Sequence, residues 1–378
     1  MRRPSALNTF LVTTSAMATG LITVATTPAV ATDGAIEINQ TCAEQTGCLP
    51  GDAPGFPVRI DQPGSFRLTS NLVVPSANTT AIALVASDVG IDLNDFSILR
   101  SGCEGASIDC TPSSGSGFGI LGAASVAGTS VRNGSVSGMG ASGIQLGFGA
   151  NVKNVRARWN NGAGIAVSIG STITGSTARQ NAGAGLSGSN GCTLTQNSSS
   201  DNGGDGIQVL SGSTVILNSV VDNSGNGISC FDHCNIRQNS VRNSSQVGID
   251  ARLEAMISEN VVADSGTAGI AASTSATVVG NASNDNEADG INVGNASTVR
   301  SNTTNSNRSG DGIEAGTGSN VTGNTARSNF GFGLRAESSG VGFAGNVFGN
   351  NNGGPASPQT SSGTSLGGNL CDTSLSCP

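Results

Sequence analysis

One pattern limits this chain more than any other: Gly followed by Ile or Leu returns at nearly constant intervals. The apolar member of the pair stands at Ile120, Ile144, Ile165, Leu186, Ile207, Ile228, Ile249, Ile270, Ile291, Ile313 and Leu334. After a first step of 24 residues, every step is 21 except one of 22. Such a period marks a solenoid, in which each repeat buries its apolar residues only against its neighbours. Two further columns keep the register. Eight residues after the anchors come Val152, Ile173, Leu194, Val215, Ile236, Ile257, Val278, Val299 and Val321; thirteen after come residues such as Ala157, Ala178, Val220 and Val262. Each repeat therefore holds three short apolar segments separated by Gly, Asn, Asp and Ser. They are too short for helices, and Gly with β-branched residues opposes helix formation.

Three strands per turn with identical columns stacked on one another describe an all-β parallel β-helix of about 21 residues per coil. At ~4.8 Å per coil, ten intervals give a rod of roughly 48 Å, and the crossover rule makes it right-handed. An Asn column at 197, 218, 239, 260, 281, 302, 324 and 346 supports the stacking, because side-chain amides can hydrogen-bond up the ladder. Composition agrees. Gly is 56 of 378 residues, aromatics are 3% and Tyr is absent, which leaves a narrow core and no volume for a second globular domain.

On these columns the chain resembles the right-handed parallel β-helix repeat family, of the pectate-lyase-like kind. The segment VGIDLNDFSI (89–98) resembles an early coil of that family, and GDAPGFPV and PGSFRL within 47–68 resemble the opening of its secreted members. The layout expected is a signal peptide at 1–31, an N-terminal cap at 32–70, the β-helix at 71–350 and a Gly/Ser/Pro-rich tail at 351–378. About 11 regular coils follow irregular early ones, and a stapled loop projects at 101–117. The family includes pectin-degrading enzymes, other carbohydrate-active proteins and surface proteins, so the resemblance specifies a fold more than a reaction. The Gly-His-Gly, Asp-Asp and Arg-x-x-Pro-x-x-Arg runs of its pectin-degrading members are absent from this sequence.

Arg2 and Arg3, an apolar stretch and Ala29-Val30-Ala31 form a cleavable export signal. Cleavage after Ala31 removes two basic and no acidic residues, taking the net charge from -8 to -10. That charge disfavours nucleic acid and anionic lipid as partners, and the Thr- and Ser-diluted leader predicts no membrane span. Eight of nine cysteines fall into close pairs: Cys42 with Cys48, Cys103 with Cys110, Cys230 with Cys234 and Cys371 with Cys377. Cys192 is left over. Pairs like these suit an oxidising compartment, where each would close a small local loop as a disulfide.

Chemistry is sparser. Residues one and three after an anchor point outward, which lines up Gln208, Leu210, Phe231, Asp250, Arg252 and Asn292 on one face, with Phe231 one coil below Arg252. The turn that follows adds Asp232, His233 and Glu254. A carboxylate base beside an Arg that neutralises a uronate is a lyase arrangement, and two carboxylates can hydrolyse a glycosidic bond; a solvated sheet face would carry the same residues. The catalytic candidates are Asp250, Glu254, Arg252 and His233, and the binding candidates Gln208, Leu210, Phe231, Asp232 and Asn292. Asp289 and Asp311 share a column on neighbouring coils and are calcium candidates, though the fold requires no cofactor. Trp159, the single Trp, falls at a turn as a sugar platform or as turn packing. The expectation is a secreted, non-catalytic protein that binds glycan or cell-envelope material. A lyase or hydrolase acting on acidic polysaccharide is the alternative, and an adhesin-like protein binder using loop 101–117 a second one.

Overall fold

The computed structural model describes residues 34–104, 110–375 and 377. The predicted export signal lies outside the described residues. Two parallel sheets run the length of the molecule. In the smaller one, here the anchor sheet, fourteen short strands stack one per coil from Val58–Ile60 through Ile144–Leu146 and Ile249–Ala251 to Leu334–Ala336 and Thr360–Ser361. Its register is that of the sequence period, with Ile144 opposite Ile165, Ile165 opposite Leu186 and Leu186 opposite Ile207. The second sheet takes the other two strands of each coil, such as Thr214–Ile216 and Ser219–Val221. The anchors and the columns eight and thirteen residues later form one continuous buried core.

Corners join the strands. At the bend inside the second sheet the chain enters the left-handed region at Gln196, Leu217, Gln238 and Glu259, where Gly175 and Gly280 occupy the same column. The Asn ladder forms as expected. Asn218 donates its side-chain amide to Asn239 Oδ1 at 3.0 Å and to the Leu194 carbonyl at 2.9 Å, and the pattern runs on to Asn369. A second ladder stands beside it without an announced column in the sequence reading: Asn160, Asn181, Asn202 and Asn223, then Asn286, Asn307, Asn329 and Asn351. Ser244 and Ser265 interrupt it, and their hydroxyls have no partner among the described residues.

Two expected boundaries move. The segment 351–378 is not simply a tail: Thr360–Ser361, Thr364–Ser365 and Leu370–Cys371 pair with the strands of the preceding coil and complete another turn. Nor is 32–70 only a cap, because Ile36–Ile38 pairs with the strand Gly64–Leu68 and Val58–Ile60 with Ile82–Leu84.

All four expected disulfides are formed. Cys42 is bonded to Cys48 and Cys103 to Cys110, six and seven residues apart. Cys230 is bonded to Cys234, and Cys371 to Cys377. Each staples a local loop and none spans coils, so the bridges hold turns and ends while the stacked columns hold the rod. The Cys371 to Cys377 bridge closes the chain onto the added last turn, which is a structural role rather than that of a loose tail. Cys192 is a buried thiol. Among the described residues no helix is long and apolar enough to cross a membrane.

Candidate functional site

Each anchored strand buries its first and third residues and turns the middle one outward, so the anchor sheet displays a single-file row. In strand register the row reads Gln208, Ser229, Asp250, Ala271, Asn292, Glu314 and Arg335. Coils between Ile144 and Leu334 differ in length by at most one residue, so no inserted loop rises beside this row. The one extra residue falls between Asn307 and Asp311.

The predicted cluster around Asp250 assembles in part. Arg252 lies over the Phe231 ring at 4.4 Å, and His233 Nε2 meets Glu254 Oε2 at 3.2 Å with both side chains more than half exposed. The bridge from Cys230 to Cys234 closes the turn that carries Phe231, Asp232 and His233, so these three side chains leave a short stapled loop. Asp232 accepts the Leu253 amide at 3.2 Å, which is a turn-holding role. Among the described residues Asp250 makes no hydrogen bond or ion pair; burial raises its carboxyl and Arg252 opposes the rise. No contact of this kind joins Asp250 to Glu254 either, so the two predicted carboxylates do not act on one another. Leu210 and Phe231 are exposed beside the row, as are Phe148 and Ile169 on earlier coils.

A tighter cluster sits further along, where two columns flagged separately converge. Asn292 donates its amide to Asp289 Oδ2 at 3.0 Å and to Glu314 Oε2 at 2.7 Å. Arg335 reaches Glu314 Oε1 at 3.6 Å and Asp311 Oδ2 at 3.7 Å. The remaining oxygens of the two Asp residues brace the turns: Asp289 Oδ1 accepts the Asp311 amide and Asp311 Oδ1 the Phe332 amide, at 2.7 and 2.6 Å. Burial first, and the charge of Asp289 second, push Glu314 up to about 7. Burial also raises Asp311, helped by Asp289 and opposed by the Phe332 amide and Arg335. Sequence reasoning names Asp289, Asp311 and Asn292 but not Glu314 or Arg335 as members of this set.

Ligand oxygens of Asp289, Asp311 and Glu314 lie within 4.8 Å of one another. Calcium takes six to eight oxygen ligands. Here the oxygens already accept from Asn292, Arg335 and two backbone amides, so the donor set fits a proton and a guanidinium better than a divalent cation. Trp159 is packed rather than displayed. It lies half-buried against Leu99, Cys103 and Cys110, with the Arg158 guanidinium 4.5 Å from its ring centre.

Residues 116–254 match the family model described as the right handed beta helix region. No curated protein matches the sequence. Among solved structures, the A-module of the Azotobacter vinelandii mannuronan C-5 epimerase AlgE4 aligns with a TM-score of 0.56 at 13% identity, over 70% of this chain and 87% of that one. The A-module of AlgE6 from the same organism aligns with a TM-score of 0.53 at 15% identity, over 82% and 90%. Identities this low speak for the fold.

Proposed function

The chain is a right-handed parallel β-helix protein, and on that scaffold we propose a non-catalytic polysaccharide-binding protein that holds a hydroxyl-rich glycan along the outward row of the anchor sheet. The row itself carries the reading. Gln208, Asp250 and Asn292 set amide and carboxylate oxygens on every second coil, about 10 Å apart, to accept sugar hydroxyls, while Phe231 and Leu210 offer an apolar patch to the C–H face of a ring. Without walling loops the surface suits a long polymer held at many weak points, whereas a ligand pocket buries most of a small molecule. Two solved structures that share the fold are named as mannuronan C-5 epimerase modules, and mannuronan is a polysaccharide. Four disulfides suit an exported protein.

Electrophoresis through gels cast with a panel of neutral and acidic polysaccharides tests this. At least one polymer retards the mature protein, and Gln208→Ala with Phe231→Ala abolishes the retardation without changing the melting temperature. Unretarded migration in every gel contradicts the proposal.

A second reading, a lyase or hydrolase acting on acidic polysaccharide, is favoured by one observation: the half-buried Asp250 carboxyl is raised beside Arg252. In it Asp250 takes a proton from the substrate, Glu254 gives one to the departing glycosidic oxygen, Arg252 holds a uronate and His233 orients Glu254. Shortened chains after incubation, lost in Asp250→Asn/Glu254→Gln, support it; shortening that persists in the double variant excludes these residues.

A further inference from the structure

Charge is unevenly distributed along the rod. Between Cys110 and Ser200 the sequence has Arg132, Lys153, Arg156, Arg158 and Arg179 and no Asp or Glu, in a chain of net charge -8. The fold gathers these five cations on three neighbouring strands of the second sheet, Ser130–Ser137, Asn151–Arg158 and Thr177–Arg179. Arg132 lies opposite Lys153 and Arg158 opposite Arg179. Along the central strand, Val152, Val155 and Ala157 are buried and Lys153, Arg156 and Arg158 exposed. The chain turns a left-handed corner at Asn154, so the cations wrap an edge of the rod.

Like charges one rung apart repel, and the protein compensates only the margins of this band. Arg132 pairs with Asp92 at 3.1 Å and Arg179 with Asp201 at 3.0 Å, both acids from just outside the acid-free span. Lys153 and Arg156 have no ion pair among the described residues. Arg158 is oriented by the Trp159 ring and by Ser137 Oγ at 3.3 Å, which leaves donors of its planar fork for an incoming oxyanion. Beside it opens a recess of about 430 Å³ lined by Ser97, Leu99, Ser137 and Arg158 and closed by Cys103 and Glu104 of the disulfide loop. Glu104 Oε2 is engaged by the Gly102 amide at 2.7 Å.

We infer that this cationic band is a second binding surface, separate from the anchor-sheet row, and that it takes a single chain of acidic polysaccharide bearing carboxylate or sulfate groups. Charge complementarity selects a polyanion, and the band's extent selects a thin one. The three strands span only about 10 Å at the ordinary strand spacing. Asp92 lies at one margin and Asp201 and Asp222 follow at the other, where they would face any duplex or bilayer laid across the band. A polysaccharide follows the strands and stays inside it.

The test is co-electrophoresis of the full mature protein with polygalacturonate, dextran sulfate, uncharged dextran and duplex DNA at about 50 mM salt, where charge contacts are strongest. The variants are Lys153→Gln/Arg156→Gln, which leaves the Arg158–Trp159 contact intact, and Met256→Gln, an exposed position on the second sheet outside both surfaces. The wild type is expected to bind at least one acidic polysaccharide, with binding that weakens as salt rises. The cation variant binds it about tenfold or more weakly and with a shallower salt dependence, at an unchanged circular dichroism spectrum. The Met256→Gln variant binds it as the wild type does, and the cation variant still binds any glycan that the anchor-sheet row holds, so failure here is distinguishable from failure of the anchor-sheet reading. Absent binding, equal binding by the cation variant, an equal weakening of uncharged-dextran binding in the cation variant, or tighter binding of duplex DNA would each overturn the inference.

Discussion

Glu314→Gln isolates the energetic consequence of packing three carboxylates on one face. In the folded protein the Glu314 carboxyl is raised from an ordinary 4.5 to about 7, by burial first and by Asp289 second. A group whose folded value is raised holds its proton more tightly in the folded state. Its contribution is therefore complete below about pH 4.5 and is lost as pH climbs through about 7. At ~1.36 kcal/mol per pH unit the unscreened ceiling is roughly 3 kcal/mol. The side chain is 20% exposed and Arg335 lies beside it, so about 1–2 kcal/mol is the working figure. Gln matches the protonated form: it is neutral, can accept from Asn292 and can donate to Asp289. The stability of Glu314→Gln relative to wild type should thus be near zero at pH 4.5 and rise to about 1–2 kcal/mol in favour of the variant at pH 8.5. Denaturant unfolding of both proteins at the two pH values, followed by circular dichroism, measures it. A difference that is the same at both pH values, or that favours the variant more at pH 4.5, refutes the reasoning.

Other consequences follow from the same geometry. Ser244→Asn with Ser265→Asn should join the two halves of the second ladder and raise stability by about 1 kcal/mol per position, read as a higher denaturant midpoint; an unchanged or lower midpoint counts against the ladder account. Asn260→Ala should cost about 2–3 kcal/mol, because the fully enclosed amides above and below it lose their partners. Leu217, 50% exposed at φ 58°, is a branched side chain at a left-handed corner, and Leu217→Asn should stabilise by about 0.5–1 kcal/mol. Millimolar calcium or EDTA should leave the melting temperature unchanged, since Asn292 and Arg335 already occupy the Asp289–Asp311–Glu314 oxygens; a calcium-dependent rise of several degrees contradicts that.

Most of this fold can be read in advance because stacking forces each column to repeat. Any residue that must bury itself against its own counterpart one coil away, such as Ile228 between Ile207 and Ile249, is visible as a period. The cysteine pairs are legible for a simpler reason, since partners such as Cys42 and Cys48 lie too close in sequence to need the fold to bring them together. The last coil is hidden for the converse reason. Its strands are two residues long and use Thr360 where other coils have Ile or Leu, with no residue paired to the second buried position, so the hydrogen-bond register persists without the apolar signature. The second Asn ladder is obscured by Ser244 and Ser265, which interrupt it midway.

The site is half legible. Stacking alone brings Phe231 under Arg252 and His233 against Glu254, because each pair shares a column or neighbouring turn. Convergence of the Asp289/Asp311 turn column with the Asn292/Glu314 strand column depends on how the chain passes the intervening glycines. Gly290 lies against the rod interior, where an added Cβ would come within 2.6 Å of the Asn307 side-chain amide nitrogen. The Gly before every anchor makes the same close approach, so the period records the path of the chain but not which coils place Asn292, Glu314 and Arg335 beside an Asp turn.

The central claim, a glycan held along the anchor-sheet row, is tested most directly by hydroxyl-radical footprinting with and without the polysaccharide that most retards the protein. Phe231 and Leu210 are 43% and 41% exposed beside that row, and Met256 and Leu217 are 51% and 50% exposed on the second sheet. Bound glycan should protect Phe231 and Leu210 from oxidation while Met256 and Leu217 react as before. Protection of Met256 and Leu217 with Phe231 still fully reactive would contradict it.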